Sequence, residues 1–399
     1  MPRQNFLRLS PPFRAEHVGS LLRPRALYDK RVLLDQGKCS PEGLTALEDA
    51  AIEQAVKLQQ QVGIKSVTDG EMRRAVFFEG VFDKLEGMTA LPDRPIAEFK
   101  PYIPHIAFLL AAGLKTSPSI YCTGKIKRVR PFYVDPFKHL KSLVPEQDVR
   151  LIKMTMCSPS WFHQRHGSDL TYDRAVYKND DEYFDALGVV YREEIQELYG
   201  LGCRHIQFDD PTFCYFCNDA MISGMEEAGV NHEALLTTYI RAINVCVRDR
   251  PGDLTVSVHL CRGNFKGMSF SEGSYARIAK KVFNELDVDT FYLEYDNDRA
   301  GNFEPLIHFP LDKVAVLGLV TTKTPELETV EQLTARVHEA AEEMVRENPH
   351  RTKEMALNQL CISPQCGFAS VWEGNPISEE DQRRKLHVLV EAAKQIWTT

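Results

Sequence analysis

SPEGLTALEDAAIEQAVKLQQQVGIKSVTDGE, residues 40–71, holds a helix, a glycine and a strand in one run. Leu44, Leu47, Ala51, Ala55, Leu58 and Val62 recur at steps of three and four, the spacing of one helix face. Ser40 is the candidate N-cap, Pro41 lies in the first turn and Gly63 closes the helix. IKSV follows at once as a short β-rich run, and Asp69, Gly70 and Glu71 stand at its C-terminal end. Helix, break, strand, then acids is the repeating unit of a parallel sheet.

The unit recurs along the chain. Residues 181–201 read as a helix broken by Gly202, and CRHIQFDDP is a strand ending in Asp209 and Asp210. Residues 232–250 form the next helix, closed by Pro251 and Gly252, and LTVSVHLCRGN runs into His259 and Cys261. Residues 275–286 are helical and DTFYLEYDN delivers Glu294; KVAVLGLVTTK ends near Lys323. A helix over residues 330–347, the strand LNQLCISPQCG ending in Cys366 and a closing helix over 379–396 complete the series. Polar residues thus collect at successive strand ends, which in a (β/α)8 TIM barrel form one face where chemistry is built. A doubly wound open sheet is the rival, but its GxGxxG turn is absent. The expectation is one barrel domain over residues 1–399. An elaborated insertion near residues 88–136, rich in proline and aromatics, reads as a β-hairpin lid.

Composition narrows the function. A net charge of −8 argues against a nucleic-acid partner, because phosphate binding needs a concentrated basic face. The short basic cluster Lys125, Lys127, Arg128 and Arg130 reads as a solvated strand edge, with a site for an anionic substrate tail as the sharper alternative. No apolar run reaches the roughly 18 residues of a membrane span, and the opening residues lack the apolar core of a secretory signal. A cytoplasmic protein with no membrane partner is therefore expected. Its ten cysteines then read as reduced thiols, with Cys39, Cys122, Cys157, Cys203, Cys246 and Cys361 as small core hydrophobes.

His259 and Cys261 are two apart on one predicted strand, so both side chains point to the same side of it. With Glu294 and Cys366 from later strand ends they make a nitrogen, sulfur and oxygen set that suits Zn²⁺. A buried histidine with two core cysteines is the common alternative.

VHLCRGN, FYLEYDN and SPQCGF, in that order, resemble the His-x-Cys, Glu and Cys zinc ligands of the cobalamin-independent methionine synthase family, in its C-terminal catalytic barrel. The resemblance runs over nearly the whole chain. It implies Zn²⁺ held by His259, Cys261, Glu294 and Cys366, and methyl transfer to homocysteine through a zinc-bound thiolate. HVGS resembles the segment that holds the homocysteine carboxylate, which implies Val18 and Ser20. TDGE and IQFDDP resemble the segments whose acids take the amino group, which implies Glu71 and Asp209. The partners implied are a homocysteine-like thiol and a methyl donor, with 5-methyltetrahydrofolate the family's choice.

Two departures matter. The family's long members carry a second, N-terminal barrel that helps bind folate, and 399 residues leave no room for it. The family's catalytic histidine segment appears here as TTKTPELE, which puts Lys323 in the catalytic position, as acid or as partner of an anionic donor. Transfer from another electrophile, or a thiol-binding barrel without catalysis, stand as alternatives. CSPSWF resembles the segment near the donor, where Trp161 either stacks on a flat donor or packs in the core.

Other groupings carry weaker signals. Cys214 and Cys217 form a lone CxxC, read as packing or pocket lining. His163 and His166 read as a surface loop, and Glu193 and Glu194 as solvated helix positions. Arg14, His17 and Arg73 stand near the presumed amino-acid site, where they serve either a substrate carboxylate or a salt bridge.

Overall fold

The protein is described by a computed structural model over residues 9–397. Strands β1 (Leu85–Pro95) and β2 (Thr116–Arg128) pair as an antiparallel hairpin, and β3 (Lys153–Cys157), β4 (His205–Asp210), β5 (Thr255–Leu260), β6 (Thr290–Glu294), β7 (Val314–Val320) and β8 (Leu360–Pro364) form a parallel sheet in sequence order. Every residue of β3 to β8 is buried, as parallel strands covered by helices must be.

Two short segments extend this sheet to a barrel. Ala15 bridges Ile362 of β8 in parallel, with Glu16 N donating to the Ile362 carbonyl at 2.8 Å and Ile362 N to the Arg14 carbonyl at 2.9 Å. Val67 bridges Ile152 beside β3, with Val67 N donating to the Leu151 carbonyl and Lys153 N to the Val67 carbonyl, both at 2.9 Å. Between these two segments the joint is made mainly by side chains. Thr68 Oγ1 donates to the Gly19 carbonyl (2.7 Å), Ser66 Oγ to Glu16 Oε1 (2.5 Å), and His17 Nε2 to the Ser66 carbonyl (3.1 Å). The eight-stranded TIM-type barrel expected from the repeating unit is thereby realised.

Its interior holds a buried ion pair. Lys153 Nζ meets Glu16 Oε2 at 3.3 Å and Tyr292 OH at 3.3 Å, and also donates to the His17 carbonyl. β3 and β6 are not neighbours in the sheet, so a contact from Lys153 to Tyr292 crosses the barrel.

The helices follow their sequence signals closely. Glu379–Ile396 starts at a Ser378 capping box and Val330–Val345 at a Thr329 capping box. The helix expected from Ser40 begins later, as Leu44–Val62, because the Ser40 hydroxyl donates to Glu42 Oε2 (2.9 Å) instead of capping.

The insertion is a hairpin with a helix, Pro104–Ala111, between its strands. It is tied to the barrel wall by Glu194, which is fully buried rather than solvated. Glu194 Oε2 accepts from Arg128 Nε (2.8 Å), Arg128 NH2 (2.6 Å) and Phe132 N (2.9 Å), and Oε1 accepts from Tyr133 N (2.7 Å). Arg128 of the basic cluster is thus a structural cation. Among the described residues no helix is long and apolar enough to cross a membrane.

Lys153→Met strands the Glu16 carboxylate in the barrel interior. We expect a loss of about 3–5 kcal/mol in urea unfolding, the cost of breaking a buried pair from one side. Glu16→Gln combined with Lys153→Met should recover part of that loss.

Candidate metal centre and adjoining cavity

The C-terminal ends of β5, β6 and β8 converge. His259 ends its turn on the inner face of β5, Cys261 follows the strand, Glu294 is the last residue of β6, and Cys366 lies two residues past β8. One ligand atom from each of the four lies within 4.8 Å of the others. Cys261 Sγ and Cys366 Sγ are 3.5 Å apart, and the neighbouring Cys261 holds the Cys366 thiol well below its ordinary range while Cys261 itself is pushed well above.

The imidazole of His259 is 2% exposed and neither ring nitrogen has a hydrogen-bond partner. A buried imidazole left unpaired costs on the order of 1–3 kcal/mol, so its position calls for a ligand. A metal fits this orphaned nitrogen, two sulfurs and a carboxylate, the donor set tetrahedral Zn²⁺ accepts.

The support behind the cluster is polar and buried. Arg262 N donates to Glu294 Oε1 (3.0 Å) and Arg299 NH2 to Glu294 Oε2 (3.2 Å). Burial raises the Glu294 pKa, but Lys323, Arg299, Arg262 and His259 outweigh it and hold the carboxyl below its ordinary value. The Arg262 guanidinium is fixed by Tyr275 OH (2.8 Å) and the Gly273 carbonyl (2.9 Å).

His259, Cys261 and Cys366 line a cavity of about 380 Å³ that also reaches Val18, Ser20, Glu71 and Asp209. All four residues expected to hold an amino-acid substrate therefore face the space beside the metal cluster. Asp209 and Asp210 are neighbours on β4 and alternate in direction. Asp209 faces the cavity, whereas Asp210 Oδ1 caps the next segment through Thr212 N (2.6 Å) and Phe213 N (3.1 Å). Burial, and then the neighbouring Glu71, push Asp209 up to about 7. A buried carboxyl raised by a second carboxylate beside it marks a site for a cation.

Glu71 has a left-handed backbone (φ 57°), a conformation of low population for a residue with a side chain. Asp69 Oδ1 accepts from Glu71 N (2.8 Å) and Arg23 NH2 donates to the Glu71 carbonyl (2.7 Å), which hold it there. Thr155 Oγ1 donates to Glu71 Oε1 at 2.8 Å. Gly19 allows the HVGS turn to pass β3, since a Cβ there would lie 2.7 Å from Thr155 Cγ2. Thr155 and Arg23 were not legible as site residues, because their partner Glu71 is distant in sequence.

Several expected residues lie elsewhere. Lys323 does not line the cavity; its Nζ donates to the Gly263 carbonyl (3.0 Å) and to Ser269 Oγ (2.5 Å), tying down the loop after β5. Arg14 binds the Leu360 carbonyl (2.7 Å) at the start of β8, and Arg73 pairs with Glu48 (3.3 Å) and Asp49. His17 is the barrel joint described above. His163 and His166 are buried rather than on a surface loop. His163 meets Tyr239 OH and Asp180 Oδ1, both at 3.0 Å, and His166 meets Ser119 Oγ (2.5 Å) and the Glu98 carbonyl (2.7 Å). Cys214 and Cys217 are buried free thiols whose pKa is raised by burial.

Above the cluster the cavity wall is mostly aromatic: Phe77, Phe78, Phe108, Trp161, Phe265 and Phe270. Trp161 is not an open platform. His105 stacks on it at 4.9 Å and 22°, and Phe78 lies tilted 5.5 Å away.

A family profile, cobalamin-independent synthase catalytic domain, matches residues 173–395. The chain is 34% identical to YxjH of Bacillus subtilis, an uncharacterized protein, over 97% of this chain and 95% of that one. It is 26% identical to a methionine synthase of Sulfolobus acidocaldarius over 92% of this chain and 93% of that one. A solved structure from Listeria monocytogenes, assigned as a vitamin-B12 independent methionine synthase, matches with TM-score 0.71 and 31% identity, covering 96% of this chain and 98% of that one.

Gly367 tests the packing of this site. A Cβ added there would lie 2.0 Å from Ser20 Oγ, on backbone tied to Phe368 and Ala369. Gly367→Ala is expected to displace Ser20 and to cost about 1–3 kcal/mol of stability by overpacking, which thermal unfolding measures.

Proposed function

Because this chain belongs to the cobalamin-independent methionine synthase family of methyltransferases, we propose that it transfers a methyl group to the thiol of homocysteine, with Zn²⁺ held by His259, Cys261, Glu294 and Cys366. The observation that carries the reading is the unpaired His259 imidazole beside two thiols and a carboxylate, on the same cavity as two acids. The metal would supply a Lewis-acidic centre that keeps a thiol sulfur deprotonated at neutral pH.

The chain's own residues do the rest. Glu71 and Asp209 receive the α-ammonium, and that cation favours the ionised form of Asp209 against the burial and the Glu71 charge that raise its pKa. Ser20 and the backbone near Val18 face the carboxylate. Ser20 Oγ is oriented by Ala369 N at 3.3 Å, and the Val18 carbonyl is engaged by Gln207 Nε2 at 2.7 Å. The aromatic wall excludes water from the reacting sulfur and holds the methyl carbon near it, a contribution of up to roughly 7–11 kcal/mol in favourable cases. Lys323 supports this wall by fixing the loop that carries Phe265 and Phe270.

5-Methyltetrahydrofolate is the first donor to try. A second reading keeps the thiol half and replaces the donor with another electrophile. It is favoured by one observation: Arg165 is the single lysine or arginine lining the cavity, and its NH2 already bonds to Ser117 Oγ (3.3 Å) and the Pro118 carbonyl (3.2 Å), so the lining offers an anionic tail one partly engaged cation.

His259→Ala and Cys366→Ser should each lose most bound zinc and all methionine formation while circular dichroism stays unchanged; full zinc retention by Cys366→Ser would remove it from the ligand set. Asp209→Asn should keep its zinc and weaken homocysteine binding about 10–100-fold, the range of a hydrogen bond to a charged group. Equal affinity for homocysteine in that variant would move the amino-group site elsewhere.

A further inference from the structure

Gln207 lies on the same face of β4 as Asp209, two residues before it, and is fully buried. Its Nε2 donates twice, to the Val18 carbonyl at 2.7 Å and to Asp209 Oδ1 at 2.8 Å. A carbonyl oxygen only accepts, so the amide nitrogen must face Val18 and the orientation of the side chain is fixed. Oε1 then points elsewhere in the barrel core, buried and without a partner.

A buried acceptor left unpaired is a cost that an apolar side chain of the same length would avoid. Packing therefore does not account for an amide at this position, whereas the two bonds it donates do. Three successive carbonyls of the segment before Ser20 are held from outside it: His17 by Lys153 Nζ, Val18 by Gln207 Nε2 and Gly19 by Thr68 Oγ1 at 2.7 Å. Among the described residues, Gln207 is the one of these donors that also bonds an acid of the cavity. Its register partner on β3 is Thr155, whose Oγ1 holds Glu71 Oε1, so both acids are braced from one level of the barrel.

We propose that Gln207 is a positioning residue that ties the Val18 backbone to the Asp209 carboxylate and so sets the spacing at which the site takes a carboxylate and an ammonium carried on one carbon. The inference rests on the reading above that an amino-acid thiol occupies this end of the cavity. The two poles of an α-amino acid are a short, fixed distance apart, and a site gains from both at once only when its own groups are already held at the matching distance. Without the tie each pole still finds its group, but one ligand reaches both only after ordering the site. Gln207 therefore acts on the preference for an α-amino acid over a thiol with a single pole, and not on the strength of either pole alone.

Calorimetric titration of the zinc-loaded full chain compares homocysteine, which has both poles, with 4-mercaptobutanoate, which has the carboxylate alone, and 3-mercaptopropylamine, which has the ammonium alone. Gln207→Met keeps the length of the side chain and removes its donors; unchanged zinc content and circular dichroism report an intact fold. The expected result is a loss of about tenfold or more in homocysteine affinity, the scale of one hydrogen bond to a charged group, with less than about threefold change for either one-pole thiol. Gln207→Leu is the second variant and carries the same expectation where the first does not fold. An unchanged homocysteine affinity, or an equal loss for all three thiols, which marks a role in packing alone, overturns the proposal. Methionine formation from homocysteine and methyl iodide by the unaltered chain is followed alongside. Its absence with the selective loss intact overturns the methyl-transfer reading and leaves the tie standing, whereas no binding of homocysteine to the unaltered chain overturns both.

Discussion

The barrel depends on how its first strand is held. Residues 14–16 bond to β8 on one side, but toward residues 66–68 the joint is made mainly by side chains, and Glu16 and Lys153 sit at its centre. A charged pair in a barrel interior is expensive to desolvate, and its attraction offsets that cost only when the remaining hydrogen-bonding capacity is filled. Here Ser66 Oγ and Phe13 N reach Glu16 Oε1, while Tyr292 OH and the His17 carbonyl reach Lys153. Phe13 and His17 belong to the segment that carries Glu16, whereas Ser66, Lys153 and Tyr292 reach it from three other parts of the barrel. The pair can be satisfied only when the circle is complete, so closure and ionic pairing are one event. Because residues 17–20 continue directly from this joint, the same constraint sets where Val18 and Ser20 meet the cavity.

The site above it shows a division between rigid and adjustable parts. The candidate metal cluster stands on strand ends and is braced by arginines that are themselves hydrogen-bonded, Arg262 to Tyr275 and Gly273 and Arg299 to Glu294 and Asp296. Bracing of this kind limits the positions that the ligands can take and favours one geometry over several. The opposite wall is made of rings from loops and from the insertion, where contacts are apolar and less directional.

The parts of this arrangement that are periodic were readable from the chain. Strand followed by polar residue repeats in sequence, which put His259, Cys261, Glu294, Glu71 and Asp209 at strand ends on one face; their grouping with Cys366 as metal ligands and as substrate acids came from the resemblance of their motifs to the family's. What could not be read depends on contacts between distant residues. Glu194 lies in the middle of a helix and looks solvated, yet its partners Arg128, Phe132 and Tyr133 stand more than sixty residues earlier. His163 and His166 looked like loop residues until the hairpin and a neighbouring helix covered them. Lys323 was placed by its position in a motif, but the direction of its ammonium is decided by the loop after β5, which no local pattern encodes. His105 lies in an insertion without periodicity, and its stack on Trp161 has no sequence signal.

The hairpin β1–β2 enters and leaves the barrel between residues 68 and 153, and it is pinned by Glu194, by His166 on Ser119 and the Glu98 carbonyl, and by backbone bonds of Cys122 to Thr171 and Asp173. Part of the cavity wall, His105, Phe108, Leu109, Leu114, Ser117 and Pro118, is therefore written in a segment that carries none of the barrel's strands. Mutations there change the shape and polarity offered to one reactant while leaving the metal ligands, their braces and the closure of the barrel untouched. Under the proposed reading, a lineage built on this plan can alter part of the wall that meets the electrophile while the strand ends that hold the nucleophile stay as they are.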